Sequence, residues 1–280
     1  LDLGLDGALN SSTLNQLNGW AGSLSRLYLA NTVAGDWSLD QTLDIAVSRE
    51  TIETGSACLV ETTNREGHLC LNRLTLDDGG QVELAIAQMP MELLLAPLDP
   101  IVNLTTPLSG QIRAAWSATG GLEDLAGEFN LGAGILQPMG ADNSLLGIDS
   151  VRLGFVPEAG SMKVSLDASL EGNSSINGEA RLLDLNDLSS ATLDAEVRLD
   201  LPDMGVFNRL VTDLDGLGGR LNSELYLSGD LLAPELDGRI ALSDGLIVNA
   251  PLGLRVENIE LAVEGTETSA DLSGNMDSGN

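Results

Sequence analysis

Residues 108–131 read LSGQIRAAWSATGGLEDLAGEFNL, and residues 217–242 read LGGRLNSELYLSGDLLAPELDGRIAL, the same peptide plan roughly 110 residues later. Gly110, Ile112, Ala114, Trp116, Ala118 and Gly120 fall on Gly219, Leu221, Ser223, Leu225, Leu227 and Gly229. After a two-residue insertion, Leu125, Gly127, Phe129 and Leu131 fall on Leu236, Gly238, Ile240 and Leu242. The matched positions mostly alternate, which is the period of a strand with one apolar face. A glycine-bearing turn reverses the chain and a second alternating run returns, so each unit reads as a β-hairpin. Hairpins that cannot close a core singly must stack. The expected product is an extended sheet whose apolar face needs a cover.

The rest of the chain follows the same period. Alternating runs stand at Leu43–Val47, Val82–Ile86, Val151–Phe155, Val164–Leu170, Ile176–Leu182, Leu193–Leu199 and Leu252–Val256. Ile259, Leu261 and Val263 resume after a one-residue shift at Asn258, as a β-bulge would give. Turn-forming stretches such as DDGG, PEAG, EGNSSING and LSDG separate the runs. Short strands at near-regular spacing predict an all-β chain. Two segments, PMELLLAPL (90–98) and DMGVFNRLVTDL (203–214), have helix-like apolar spacing. Each precedes one of the repeated hairpins, and both are expected to dock on the sheet as short helices. We read residues 1–280 as a single elongated piece of a longer protein.

Of the 280 residues 43% are hydrophobic but only 3% aromatic, so Leu fills strand positions usually taken by Val, Ile, Tyr and Phe. A Leu-rich face suits packing against flexible hydrocarbon as well as against protein. The formal charge of −29, from 42 acidic against 13 basic residues, argues against nucleic acid and against anionic membrane surfaces. The acidic residues alternate with Leu or sit near turns, as on the solvated face of a sheet. No window approaches the length of a membrane-spanning helix.

Cys58 and Cys70, the two cysteines, flank the turn-forming stretch TTNREG and fall opposite each other across a hairpin centred on Asn64. Directly opposed residues come within disulfide range. One disulfide and an oxidising compartment follow, the alternative being a pair of buried thiols. His68 beside Cys70 is the one histidine, too few ligands for a zinc site. No nucleophile elbow, phosphate loop or H-E-x-x-H motif is present. The expectation is a non-enzyme without cofactor or metal.

Three stretches carry a family likeness: WAGSLSRLYLANTVAGDWSL (20–39) with the cysteines of ACLV and HLCL after it; AQMPMELLLAPLDP leading into LSGQIRAAW; and APELDGRIALSDGLIVNAPLGLRVENIELAVEG (233–265). Their order and spacing resemble the middle of the TamB family, inner-membrane subunits of the bacterial translocation and assembly module, with AsmA-like relatives among bridge-like lipid transfer proteins. The resemblance implies a long antiparallel or mixed β-sheet curled into a U-shaped trough, apolar inside. It also implies a periplasmic location in a Gram-negative bacterium, an inner-membrane anchor elsewhere in the protein, and an outer-membrane barrel partner of the TamA type. About 20 strands at ~4.8 Å spacing would make a trough on the order of 100 Å long.

Under that reading the expected lining is Leu84, Ile86, Ile112, Trp116, Phe129, Leu131, Val151, Leu153, Phe155, Val164, Leu166, Leu170, Val197 and Leu199. It continues through Leu221, Leu225, Leu227, Ile240, Leu242, Leu254, Val256, Leu261 and Val263. The expected function is to conduct phospholipids between the inner and outer membranes by their acyl chains. The alternative is a scaffold for outer-membrane barrel assembly or autotransporter secretion through strand augmentation. A closed structural solenoid, dry inside, is a further reading.

Overall fold

Period-two sequence becomes strand along nearly the whole chain in a computed structural model that describes all residues except 1, 14–15, 33–34, 64–65, 96–101, 120, 139–144, 159, 185–189, 210–213, 267–268 and 279–280. The all-β class and the antiparallel sheet expected from the alternation are what is observed. The chain forms two compact units, Leu1–Pro100 with Thr106–Asn130, and Ile101–Thr105 with Leu131–Asn280.

In the first unit β1 (Asp2–Thr13) pairs with the long β2 (Gln16–Thr32). Two short strands, β3 (Gly35–Leu39) and β4 (Leu43–Ser48), lie end to end along β2. β5 (Ile52–Thr54) continues from β4, and β6 (Ala57–Glu61) from β3. Both then meet β7 (His68–Leu76), followed by β8 (Gly80–Pro90). Asp40 bridges the seam between the short strands: its amide donates to Cys58 O (2.9 Å) and its Oδ1 accepts the Cys58 amide (3.0 Å). The helix α1 (Met91–Leu95) lies inside the first expected helical segment, whose last residues fall outside the described ones. β9 (Val102–Thr105) belongs to the second unit, so β10 (Pro107–Trp116) pairs back onto β8. β10 turns into β11 (Leu122–Leu131) through a loop closed by Ser117 N–H donating to Gly121 O at 2.9 Å. This is the first of the two repeated hairpins.

The second unit pairs β9 with β12 (Gly134–Pro138), and β12 with β13 (Leu146–Glu158). From there it is a meander: β14 (Ser161–Leu170), β15 (Ser174–Leu183), β16 (Thr192–Leu201), β17 (Gly216–Asp230), β18 (Glu235–Asn249), β19 (Leu254–Thr266) and β20 (Ser269–Ser278). Each strand pairs antiparallel with the next. β17 and β18 are the second repeated hairpin.

The second expected helix is a 3-10 helix, Met204–Arg209; residues 210–213 lie outside the described ones. The spacing of Met204 and Phe207, three apart, is the period of a 3-10 turn. Asn208 fastens it to β17, donating Nδ2–H to Leu217 O (3.1 Å) and accepting the Leu217 amide. Arg209 pairs with Glu171 (3.4 Å), whose other oxygen accepts the Gly147 amide (3.1 Å).

The molecule exposes 16742 Å². A compact protein of this mass would expose about 11,500 Å², and two separate compact halves about 13,800 Å². The chain thus leaves more surface open than two compact halves would. Burial concentrates locally, at Trp37 and Met89 in the first unit and at Ile148, Leu201 and Ile259 in the second.

Candidate functional site: the apolar sheet faces

Cross-strand register shows which side chains share a face. In the second unit one row runs Leu153, Leu166, Gly178, Val197, Leu225, Gly238. A neighbouring row is Val151, Ala168, Ile176, Leu199, Ser223, Ile240, Val263, Leu272. Phe155, Val164, Ala180, Ala195, Leu227 and Leu236 form a third, and Leu201, Leu221, Leu242 and Leu261 a fourth. Directly opposed residues project to the same side. This face is therefore apolar over several strands, relieved by glycine and serine.

The rows between them make the opposite face. Arg152, Asp167, Asn177, Arg198, Glu224, Arg239 and Glu264 form one, and Ser165, Glu179, Glu196, Tyr226 and Asp237 another. Arg198 reaches Glu224 at 3.3 Å and also pairs with Glu196. Hydrogen bonds from Tyr226 and then Arg198 hold the Glu224 carboxyl below the ordinary carboxylate range. The same bond raises the Tyr226 phenol. A depression on this face, lined by Asn177, Arg198, Asn222, Glu224 and Arg239, is thus occupied by its own ion pairs.

Two left-handed residues keep the faces consistent. Asp244 (φ 52°) and Asn258 (φ 49°) are bulges in β18 and β19. Before them the apolar positions of β18 are even, Ile240 and Leu242; after them Ile247 is on the same side, paired to Val256 and Leu217. In β19 the change runs from Leu254 and Val256 to Ile259, Leu261 and Val263. A bulge inserts one residue, and a one-residue shift otherwise turns every side chain over. The shift expected at Asn258 is therefore real, whereas the turn expected at LSDG (242–245) is instead the partner bulge at Asp244, inside the continuous β18.

In the first unit Leu69, Ile86 and Gly110 form a row, followed by Leu71, Leu84 and Ile112, then Leu74, Val82 and Ala114, then Leu76, Gly80 and Trp116. The Phe129 ring of β11 lies against Gly110. The opposite side carries Gln111 and the ion pair Arg113–Asp124 (2.7 Å). Cys58 and Cys70 are opposed in register and disulfide-bonded, with Cα atoms 3.9 Å apart. They share the polar side with Ala85 and Gln111. Sequence reasoning missed Glu61, a carboxylate 4% exposed opposite Trp37, which accepts the Thr63 amide at 2.8 Å.

The expected lining residues thus divide between the units. Leu84, Ile86, Ile112, Trp116 and Phe129 lie on the apolar face of the first, and those from Val151 to Val263 on that of the second; Leu131 ends β11. The second face is half-buried along its middle rows, with Ala195, Ser223 and Leu201 buried, and more open at Leu153 (38% exposed), Ile240 (38%) and Leu236 (51%). Among the described residues no helix is long and apolar enough to cross a membrane.

No curated protein and no solved structure matches the chain. One family profile does, that described as TamB, N-terminal domain, over residues 1–242. With that match spanning most of the sequence, the chain belongs to the TamB family, envelope-associated proteins that work with TamA-type partners in outer-membrane protein assembly or lipid transport.

Proposed function

We propose that the apolar sheet faces carry phospholipid acyl chains between the inner and outer membranes, within the periplasm and without covalent chemistry. The observation behind this is the apolar face of the second unit, a row-by-row surface of Leu, Val and Ile on which Leu153, Ile240 and Leu236 are more than a third exposed. Soluble proteins rarely leave more than a few hundred Å² of contiguous apolar surface open. Hydrocarbon would cover it, gaining about 25 cal/mol per Å² buried. Branched aliphatic side chains set among glycines give a smooth surface to which a flexible chain can conform.

Native mass spectrometry of the purified chain tests this, since copurifying phospholipid is expected. Leu225→Arg and Leu166→Asp place a charge among the apolar rows. Because the face is open, the charge can reach water, and circular dichroism should show an intact sheet. Photocrosslinking to lipid should nevertheless be lost. Asn222→Arg is the control: it lies on the polar face opposite Asp200, whereas position 224 would set a third arginine between Arg198 and Arg239. Undiminished lipid crosslinking in both inward variants would remove the conduit reading. The scaffold alternative would then lead.

A further inference from the structure

We propose that the 3-10 segment Met204–Arg209 is a strap, closed over one end of the second unit's apolar face and able to lift from it; its use to acyl chains rests on the role proposed above. The last apolar row at that end runs Ile148, Leu170, Ser174. Leu201 continues it on β16, one step beyond the Ser175–Asp200 pair, and Leu221 on β17. Elsewhere on the face Leu153 and Leu236 are more than a third exposed, whereas here Ser174 is wholly buried, with Leu201 5% and Ile148 6% exposed. The strap lies at this row. It packs against β13 and β17. A Cβ on Gly172, in the turn between β14 and β15, would stand 2.5 Å from Val206 Cγ1 and 4.0 Å from Ser174 Oγ. Val206 is thus on the apolar side of the turn, beside Ser174.

Few bonds hold the strap down. Asn208 donates to Leu217 O and accepts the Leu217 amide. Arg209 meets Glu171 at 3.4 Å in an exposed pair, the kind that contributes little. The Gly205 amide donates to Asp203 Oδ1 (2.7 Å), which shapes the turn without fastening it to the sheet. Beneath the strap Ser174 Oγ is buried with no hydrogen-bond partner. A hydroxyl shut away from water unpaired penalises the closed state, and lifting the strap relieves it. Lifting also adds the Ile148–Leu201 row to the open apolar surface, so that an acyl chain on the face can run on to the rim.

Ser174→Cys turns the covered position into a reporter, because both native cysteines are disulfide-bonded. Its reaction with a maleimide should quicken about fivefold or more when Asn208→Ala removes both bonds to Leu217. Ala195→Cys, buried on the same face toward the other end of β16, should not respond. In otherwise native protein the strap amides should exchange hydrogen faster than those of β16 and β17, and Ser174→Ala should slow them about fivefold. With phosphatidylethanolamine vesicles carrying an acyl-chain diazirine, Asn208→Ala should raise crosslinking at residues 170–174 relative to Val197 and Leu225. Equal response of the two thiols, strap exchange no faster than that of the strands, or strap exchange unchanged by Ser174→Ala overturns the strap. Faster thiol reaction with an unchanged crosslinking pattern overturns its part in acyl passage. Crosslinks at none of these rows in any variant overturn the acyl-carrying reading, while the thiol and exchange results still decide the strap.

Discussion

The indole of Trp116 lies over Gly80, its direct partner across β10 and β8, so closely that a Cβ on the glycine would stand 2.2 Å from Cζ2. Trp20 covers Gly7 and Gly22 in the same way, and Phe129 covers Gly110. Much of a small aromatic complement, 3% of the chain, is therefore spent filling gaps left by glycine on a neighbouring strand. An aromatic ring laid over a strand glycine supplies the packing that the glycine lacks.

Gly80→Ala should accordingly displace the indole and destabilise the first unit by about 1–3 kcal/mol. The penalty should largely disappear in a Trp116→Ala background, because the three atoms nearest the added Cβ all belong to that ring. A thermal double-mutant cycle measures the coupling, and additive effects would contradict it.

The disulfide spans a sequence separation of 12 residues. For a loop of that size chain entropy gives roughly 3 kcal/mol at most. Denaturant unfolding of Cys58→Ala/Cys70→Ala should show a loss approaching this value. Thiol titration of the denatured, unreduced protein should find no free thiol.

Asn258 is left-handed, and its side-chain Nδ2–H donates to Asp277 Oδ2 at 2.9 Å. Asn258→Gly should be nearly neutral, since glycine adopts this conformation freely and an exposed hydrogen bond contributes little. Asn258→Val should cost about 1–3 kcal/mol, because a β-branched residue is strained there. Deleting the residue should be worse than either, since it would turn Val256 and Leu254 to the polar face. Chemical denaturation of the three variants gives the order directly.

Glu224 is expected to titrate below ordinary glutamates, about 4.3 in model peptides, because Tyr226 and Arg198 donate to its carboxylate. Folding lowers this pKa, so the small stabilisation is present above the unfolded value and is lost as pH falls through the folded one. Carboxyl NMR titration checks the position, and Tyr226→Phe should move it part of the way back up. A wild-type Glu224 that titrates with the other glutamates would show that these contacts do not persist in solution.

Sequence by itself determined what is local. Period two made the strands, and parity assigned Leu221, Leu225 and Leu227 to one side and Glu224 and Tyr226 to the other. The Asn258 shift and the opposition of Cys58 to Cys70 were legible for the same reason, since each depends on counting residues along one hairpin. Tertiary structure alone decided what depends on strands distant in sequence. β10 pairs with β8 and not with β9, its predecessor in the chain, β3 and β4 share one flank of β2, and Trp116 meets Gly80. Nor could the sequence show that Arg181 pairs with Glu158 and Lys163 with Glu179. Side-chain periodicity records which way a residue faces. Backbone hydrogen bonds choose its neighbour, and every strand offers the same bonds whatever its sequence.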